Sequence, residues 1–322
     1  MNAGSRWLKV VAENKKLVNL MKLTVGILLA YFLYRQLNQS IKLIDFSRFK
    51  FNFQIGIYLS IVSALTFVNW GIEAKKWQIL MSSIQVLRYE KAFQSILAGL
   101  STGLMTPNRL GNFIGRLVYV KKEFHSKAIA QTQYGNLSQF VTSICLGVLS
   151  FSLLIYYFDL AAFYSIIYGI SFTFILLGFA LYFNPLLILK IPFFKASILK
   201  LKPEVMALAA LPIAVKSKIL GWSFLRYSVF IVQYNVLFLI FDSNPNFLLT
   251  SALAGTTFLL TTISPSLFFG KLLVRESVAI LVFGWANFDL SIVIMVSFLL
   301  WLFNLFIPGL TGVLFWLKKQ DV

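Results

Sequence analysis

Two arginines stand out because each follows a Pro/Gly break in the middle of an apolar segment. Arg116 ends the sequence Thr-Pro-Asn-Arg-Leu-Gly-Asn-Phe-Ile-Gly-Arg at 106–116, and Arg275 lies in Ser-Pro-Ser-Leu-Phe-Phe-Gly-Lys-Leu-Leu-Val-Arg-Glu at 264–276. In both breaks, Ser/Thr-Pro is followed by Gly and then, five residues later, by Arg. A guanidinium fork binds phosphate oxygens through two parallel hydrogen bonds, so both arginines are candidate phosphate ligands.

Each break also starts a new half-helix, at Gly111 or Gly270, whose first N–H groups have no partner inside the helix. Such an end favours an anion, through its free N–H groups and the helix dipole. An ionisable residue inside a membrane segment normally faces a cavity or a charged partner. The candidate substrate-binding residues therefore surround the two breaks: Arg116, Arg275, Glu276, Pro107, Gly111, Asn112, Pro265, Gly270 and Arg109.

The alternative is that both arginines have only a structural role. Arg116 could extend to the membrane surface near Lys121, since long basic side chains reach towards the interface. Arg275 could pair with Glu276 or with Asp289 at the outer edge. The matched spacing of the two breaks favours the functional interpretation.

Other polar residues receive simpler interpretations. Glu73, Lys75 and Lys76 fall at the cytoplasmic end of an apolar segment, and the segment from Trp77 to Tyr89 is typical of an interfacial helix, which favours an anchoring role. Arg226 lies inside a predicted span and could line a cavity. We rank it below the two hairpin arginines, because a single charge near a helix end can extend to the interface.

Composition decides the class of protein that must position these residues. The 322 residues include 29 Lys and Arg against 11 Asp and Glu, a net charge of +18, with 59% hydrophobic and 12% charged residues and a mean hydropathy of +0.81. Soluble domains carry about 25% charged residues. A soluble, secreted or disordered protein is therefore excluded, and an all-α polytopic membrane protein is predicted.

Few residues remain for enzyme chemistry. Cys145 is the only cysteine and His125 the only histidine, which argues against Cys-based or His-based metal sites and nucleophiles. We therefore expect no metal, no cofactor and no enzymatic activity. Nucleic acid is not an expected partner, because the positive charges follow the membrane topology and no nucleic-acid motif accompanies them.

Hydropathy and the breaks define a single membrane domain over residues 1–322. Apolar stretches of about 20 residues predict six full spans. Each of the two broken stretches begins and ends on the same side of the membrane, the first on the cytoplasmic side and the second on the outer side. They therefore predict re-entrant hairpins. The spans are Leu17–Leu37, Phe53–Ile72, Asn136–Phe158, Phe163–Phe183, Ile219–Phe241 and Leu290–Trp316, and the hairpins are Ala92–Val120 and Phe247–Trp285.

The distribution of Lys and Arg predicts the orientation. Twenty of them fall in the terminal segments and alternate loops on one side, whereas the opposite side has only Lys42, Arg48 and Lys50, in residues 38–52. Positive residues are enriched on the cytoplasmic side of membrane proteins. A cell-membrane protein with cytoplasmic N- and C-termini is predicted.

The two hairpins also divide the chain into similar halves. Arg116 and Arg275 are 159 residues apart, about half of the 322. Each hairpin is preceded and followed by a span, in opposite orientations, so residues 53–158 and 219–316 predict an inverted repeat. In transporters of this architecture, broken helices meet near the midplane around the substrate.

The motifs resemble those of a known family. Trp70–Trp77 (Trp-Gly-Ile-Glu-Ala-Lys-Lys-Trp), the break at 106–116 and Ser-Pro at 264–265 leading to Val-Arg-Glu at 274–276 are similar to the lysylphosphatidylglycerol synthase transmembrane region, or flippase-like integral membrane family. The resemblance covers nearly the whole chain and implies movement of an aminoacylated phospholipid between leaflets. It does not extend to the family's cytosolic synthase domain, so lysyl transfer is not expected. The chain departs from the pattern at Asn108, Asn112 and Leu273, where Gly, Glu and Gly are frequent.

Three functions follow from these observations. A flippase-like protein would move a phosphate-bearing lipid, such as an anionic or aminoacylated phospholipid or another lipid-linked phosphate, through the bilayer. An intramembrane lipid-modifying enzyme would need Glu276 or Glu73 as its acid or base. A scaffold or accessory subunit would use the hairpins for packing alone. The first is favoured because the charges at depth are cationic, which suits anion binding; homo-oligomerisation is left open.

Overall fold

Helices make up all of the regular structure in the part of the chain that the computed structural model describes, which is residues 52–104, 106, 111–159, 164–190, 202–241, 245–264 and 271–320. The predicted span Leu17–Leu37 lies outside these residues, as do Pro107, Arg109, Pro265 and Gly270. The α-helices are α1 (Phe53–Met81), α2 (Tyr89–Leu104), α3 (Gly111–Leu117), α4 (His125–Tyr157), α5 (Tyr164–Phe183), α6 (Lys202–Ala209), α7 (Ile213–Phe238), α8 (Phe247–Ile263), α9 (Lys271–Gly284), α10 (Leu290–Trp301) and α11 (Ile307–Gln320). Short 3₁₀ segments precede α4 and follow α5, and a π-helical segment, Leu302–Phe306, joins α10 to α11.

The all-helical prediction is confirmed for the described residues, and several of their helices could cross a membrane. Phe53–Met81, Lys122–Tyr157 and Leu290–Leu317 are long and apolar enough to do so. The bent pair Pro203–Ala209 and Ile213–Phe238, with 88° between its helices, would make a fourth. Lipid offers no partner for backbone N–H and C=O groups, which explains why an apolar chain of this kind folds into helices.

Helix α1 is longer than the sequence predicts. It continues through Glu73 to Met81, and the chain then turns before α2 begins at Tyr89, so the expected interfacial helix from Trp77 to Tyr89 is wrong. The polar residues near its end do not stop the helix, because Glu73 and Lys76 are buried against partners rather than exposed at a surface. At 29 residues, α1 is about 43 Å long and exceeds the apolar core of a bilayer, about 30 Å.

The first hairpin is held together by a close approach of backbones. A Cβ atom at Gly115 of α3 would lie 2.2 Å from the carbonyl oxygen of Ala98 on α2, and one at Gly111 would lie 2.1 Å from that of Thr102. The Thr102 hydroxyl also donates to the Gly111 carbonyl at 2.6 Å. Small residues four apart let membrane helices approach in this way. Arg116, the next residue after Gly115, is thereby held close to Gly99 of α2.

Helices of the first half of the chain pack against helices of the second half. Helix α1 packs against α7, α2 packs against α11, and α8 packs against α4. Glycine again allows the approach between α2 and α11, where a Cβ atom at Gly312 would lie 2.0 Å from the Leu97 carbonyl oxygen. On the other side, stacked rings of Tyr234, Phe238 and Phe283 join α7 to α9. Helices from the two halves of the described chain thus pack against each other.

Gly115 tests the hairpin packing. We expect Gly115→Ala to destabilise the fold by about 1–3 kcal/mol, because its Cβ would meet backbone atoms that cannot move aside. Gly221→Ala on α7 is the matched control, since nothing lies within 4 Å of its added Cβ. Heating in detergent with a thiol-reactive dye measures unfolding, because Cys145 is buried in the folded chain. Equal melting of the two variants would contradict the packing.

Candidate functional site

Cations from three helices converge on one buried carboxylate, that of Glu73 on α1. The Arg116 Nη2 of α3 donates to Glu73 Oε1 at 3.2 Å, and the Arg226 Nη1 of α7 donates to Oε2 at 2.9 Å. The Nζ of Lys76, one turn along α1, lies 3.3 Å from Oε2. The four side chains are between 1% and 13% exposed, with Arg226 the most exposed. We call these four residues the Glu73 cluster.

Each arginine of the cluster is held by the same three kinds of partner. Besides Glu73, an asparagine Oδ1 accepts from the Nε at 2.7 Å in both: Asn112 for Arg116 and Asn69 for Arg226. A tryptophan ring of α1 lies against each guanidinium, with centroid distances of 5.2 Å and 5.0 Å. Hydrogen bonds and cation–π contact together fix the plane of both guanidinium groups. The two tryptophans are Trp77 under Arg116 and Trp70 under Arg226.

One face of α1 supplies most of this site. Thr66, Asn69, Glu73 and Lys76 follow each other at intervals of three, four and three residues, which places them on one side of a helix. All four are buried. This polar stripe in an apolar helix is the sequence signal that identifies the site. The interpretation of Glu73 and Lys76 as surface anchors missed it.

A buried network of amides extends the site towards α11. The Asn304 side chain, in the π-helical segment, accepts from Asn69 at 3.4 Å and donates to Gln233 at 3.0 Å, and Gln233 donates to Thr66 at 3.0 Å. Pro308 has no N–H to give to the Asn304 carbonyl, four residues earlier. The Trp70 Nε1 donates to that carbonyl instead, at 3.1 Å. The π-helical segment thus orients two residues that contact Arg226.

The charges of the Glu73 cluster do not balance. Three cations surround one carboxylate, and within the described ranges no second carboxylate lies within 4.0 Å of their nitrogens. The described partners use two of the five N–H donors of each guanidinium. Buried charges are normally paired, because leaving water is costly for an ion. The cluster therefore combines excess positive charge with spare hydrogen-bond donors, which suits an anion.

The second hairpin arginine occupies a different environment. Arg275 Nη2 on α9 donates to the Ser297 carbonyl of α10 at 2.8 Å, and Arg275 interacts electrostatically with Glu276 and with Tyr234 of α7. Glu276 and Tyr234 are both buried. Among the described residues, the Arg275 Nε, the Tyr234 hydroxyl and the Ser297 hydroxyl are buried without a hydrogen-bond partner. This region is a second concentration of polar groups, built entirely from the second half of the chain.

The residues singled out in the sequence lie in two separate regions, one at the Glu73 cluster and one around Arg275. Gly111 begins α3 as predicted. Arg116 belongs to the Glu73 cluster, and Asn112 accepts a hydrogen bond from it. However, α3 has only seven residues and Arg116 lies in its last turn, where its guanidinium binds the carboxylate of Glu73. Arg116 is buried and does not extend to the surface. Arg226, ranked lower in the sequence, contacts Glu73 more closely than Arg116 does.

Neither a metal site nor a relative adds to this picture. Among the described residues, no group of three His, Cys, Asp or Glu side chains is placed to hold a metal ion. Comparison with protein-family models, with curated proteins and with solved structures finds no match. The resemblance seen in the motifs stays a prediction.

Glu73 tests the charge cluster. We expect Glu73→Gln to destabilise the protein by about 3–5 kcal/mol, because two buried cations and the partly buried Arg226 lose their common partner. Glu123→Gln, at an exposed acid outside the cluster, is the matched control. Melting is followed by exposure of Cys145, as above. Adding Arg226→Met to Glu73→Gln should recover part of the loss, and a purely additive double variant would contradict the coupling.

Proposed function

We propose that this chain is a multi-pass protein of the cell membrane that moves a phosphate-bearing lipid between leaflets and binds the lipid headgroup at the Glu73 cluster. One observation carries the proposal: the buried Lys76 and Arg116 and the partly buried Arg226 share a single carboxylate. Cationic residues kept at depth are costly, and they normally mark the path of a substrate or ion. A phosphate would supply the missing negative charge.

The geometry of the arginines suits a phosphate. Both guanidinium groups are held in fixed planes with N–H donors to spare, and arginine forks match the spacing of phosphate oxygens. The side chain of Arg226, the most exposed of the cluster at 13%, is the point of entry in this proposal. The polar groups around Arg275 would form a second binding site for the headgroup, and the acyl chains would stay in the surrounding lipid.

The packing of the helices supports the proposed inverted repeat, whereas the six proposed spans rest on hydropathy. The first arm of each hairpin packs against the last long helix of the other half, α2 against α11 and α8 against α4. The helices that precede the hairpins, α1 and α7, pack against each other, as expected at a two-fold pseudo-axis. We propose cytoplasmic termini, from the Lys and Arg distribution.

Lipid movement is measured in vesicles of neutral phosphatidylcholine that contain the protein and a small fraction of acyl-labelled phosphatidylglycerol. An impermeant reductant bleaches the outer leaflet, and further bleaching reports lipid that has crossed. We expect Arg116→Ala, Arg226→Ala and Arg275→Ala each to slow crossing by about tenfold or more, because a charge-assisted hydrogen bond contributes about 1.5–3 kcal/mol. Lys218 is an exposed lysine of α7, so lipid should cross at the wild-type rate in the Lys218→Ala variant.

The other candidate functions give different results in the same assay. If the wild-type protein moves no lipid, or the arginine variants move it equally well, the hairpins are packing features and a scaffold or accessory role replaces the transporter. If the recovered headgroup is chemically changed and Glu276→Gln abolishes the change, the protein is a lipid-modifying enzyme. Unchanged lipid, moved by the wild type and not by the variants, supports the transporter.

A further inference from the structure

The charge of the headgroup that fits the Glu73 cluster can be argued from the residues around the two arginines. Both Nε atoms are bonded to neutral amides, Asn112 and Asn69, at 2.7 Å. An aspartate at either position would have the same size and would cancel one positive charge. Among the residues that the structure describes, Glu73 is the only carboxylate bonded to the two guanidinium groups, and both of its oxygens already accept from cations.

We propose, on the basis of the lipid transport proposed above, that the Glu73 cluster selects headgroups of net negative charge and rejects headgroups that carry a free amine, and that Asn112 sets this selectivity. The accepted class is a phosphodiester or phosphomonoester whose substituent is uncharged, such as a glycerol. Aminoacylated and aminoalkyl phospholipids belong to the rejected class.

The rejection follows from charge and hydrogen-bond capacity. An ammonium group has three donors and needs acceptors or a carboxylate in exchange for its water. The cluster offers it two arginines and a lysine, which repel it, and a carboxylate that is already shared by three cations. The phosphate of the same lipid would be attracted. The net preference therefore depends on how much positive charge remains after Glu73, and an uncharged Asn112 keeps that excess high.

Asn112 is a better test position than Asn69. Asn69 also donates to Asn304, so an aspartate there would lose a bond of the amide network. Asn112 lies on the short helix α3 against Gly99, where an added Cβ would be 2.7 Å from the Asn112 Oδ1. A larger side chain would not fit, whereas aspartate has the same shape. Asn112→Asp therefore changes the charge and keeps the contact with Arg116.

The experiment compares two lipids in the same vesicles of neutral phosphatidylcholine. Phosphatidylglycerol carries one negative charge, and lysyl-phosphatidylglycerol carries a net positive charge on the same scaffold. We expect the wild-type protein to move phosphatidylglycerol faster, and Asn112→Asp to shift the ratio of the two rates towards the lysyl lipid by about tenfold, which corresponds to 1.4 kcal/mol. Asn112→Ala removes the amide without adding charge and should not raise the rate of the lysyl lipid.

The outcomes separate the selectivity from the transport. If the wild type moves neither lipid, the proposed function fails and the selectivity fails with it. If it moves both lipids equally, or the lysyl lipid faster, transport stands and the selectivity is overturned. The same holds if Asn112→Asp leaves the ratio unchanged while its melting, followed at Cys145, matches that of the wild type. A shift seen equally with Asn112→Ala assigns the effect to lost packing and overturns the role of charge.

Discussion

The architecture depends on one carboxylate that three cations share as their partner. Glu73 lies where α1, α3 and α7 meet, and each of its oxygens accepts from an arginine of a different helix. Lys76 extends the same junction to α4, because its Nζ also donates to the Gly135 carbonyl at 3.3 Å. Hydrophobic burial gives little direction to helices that are surrounded by lipid, so polar contacts of this kind fix which helices pair. The residual positive charge follows from the same junction, since four helices are joined through a single acid.

Close backbone packing determines where the charged groups can stand. Arg116 reaches Glu73 because Gly111 and Gly115 bring α3 against α2, which in turn packs on α1 and α11. A larger residue at either glycine would move the short helix away from its partner. The small residues and the polar residues of the first hairpin therefore act together. Gly111 and Gly115 set the distance between α3 and α2, and this distance lets Asn112 and Arg116 make their hydrogen bonds. The second hairpin is built with different contacts, and its arginine binds a carbonyl of α10.

The sequence predicted the helical class and the start of α3 at Gly111, because breaks leave local patterns, and it singled out Arg116, which the structure places against Glu73. It assigned Glu73 and Lys76 to a surface, because charged residues near a predicted span end normally mark an interface. The arginine partners of Glu73 lie 43 residues away, at Arg116, and 153 residues away, at Arg226, and no local pattern records such pairings. The polar stripe on α1 was visible at helical spacing, but its meaning depends on which helix faces it. The ion pair of Arg226 with Glu73 was missed for the same reason.

The π-helical segment gives the last helix a fixed rotational setting. Asn304 bonds to Asn69 and Gln233 through its side chain and to Trp70 through its carbonyl, so its direction is defined by contacts on two other helices. Moving one residue along a helix turns the side chain by about 100°. An insertion or deletion of a single residue between Trp301 and Asn304 would therefore break all three contacts together and release Asn69 and Trp70, which contact Arg226. The length of this segment, more than its composition, is what a viable variant of the chain must keep.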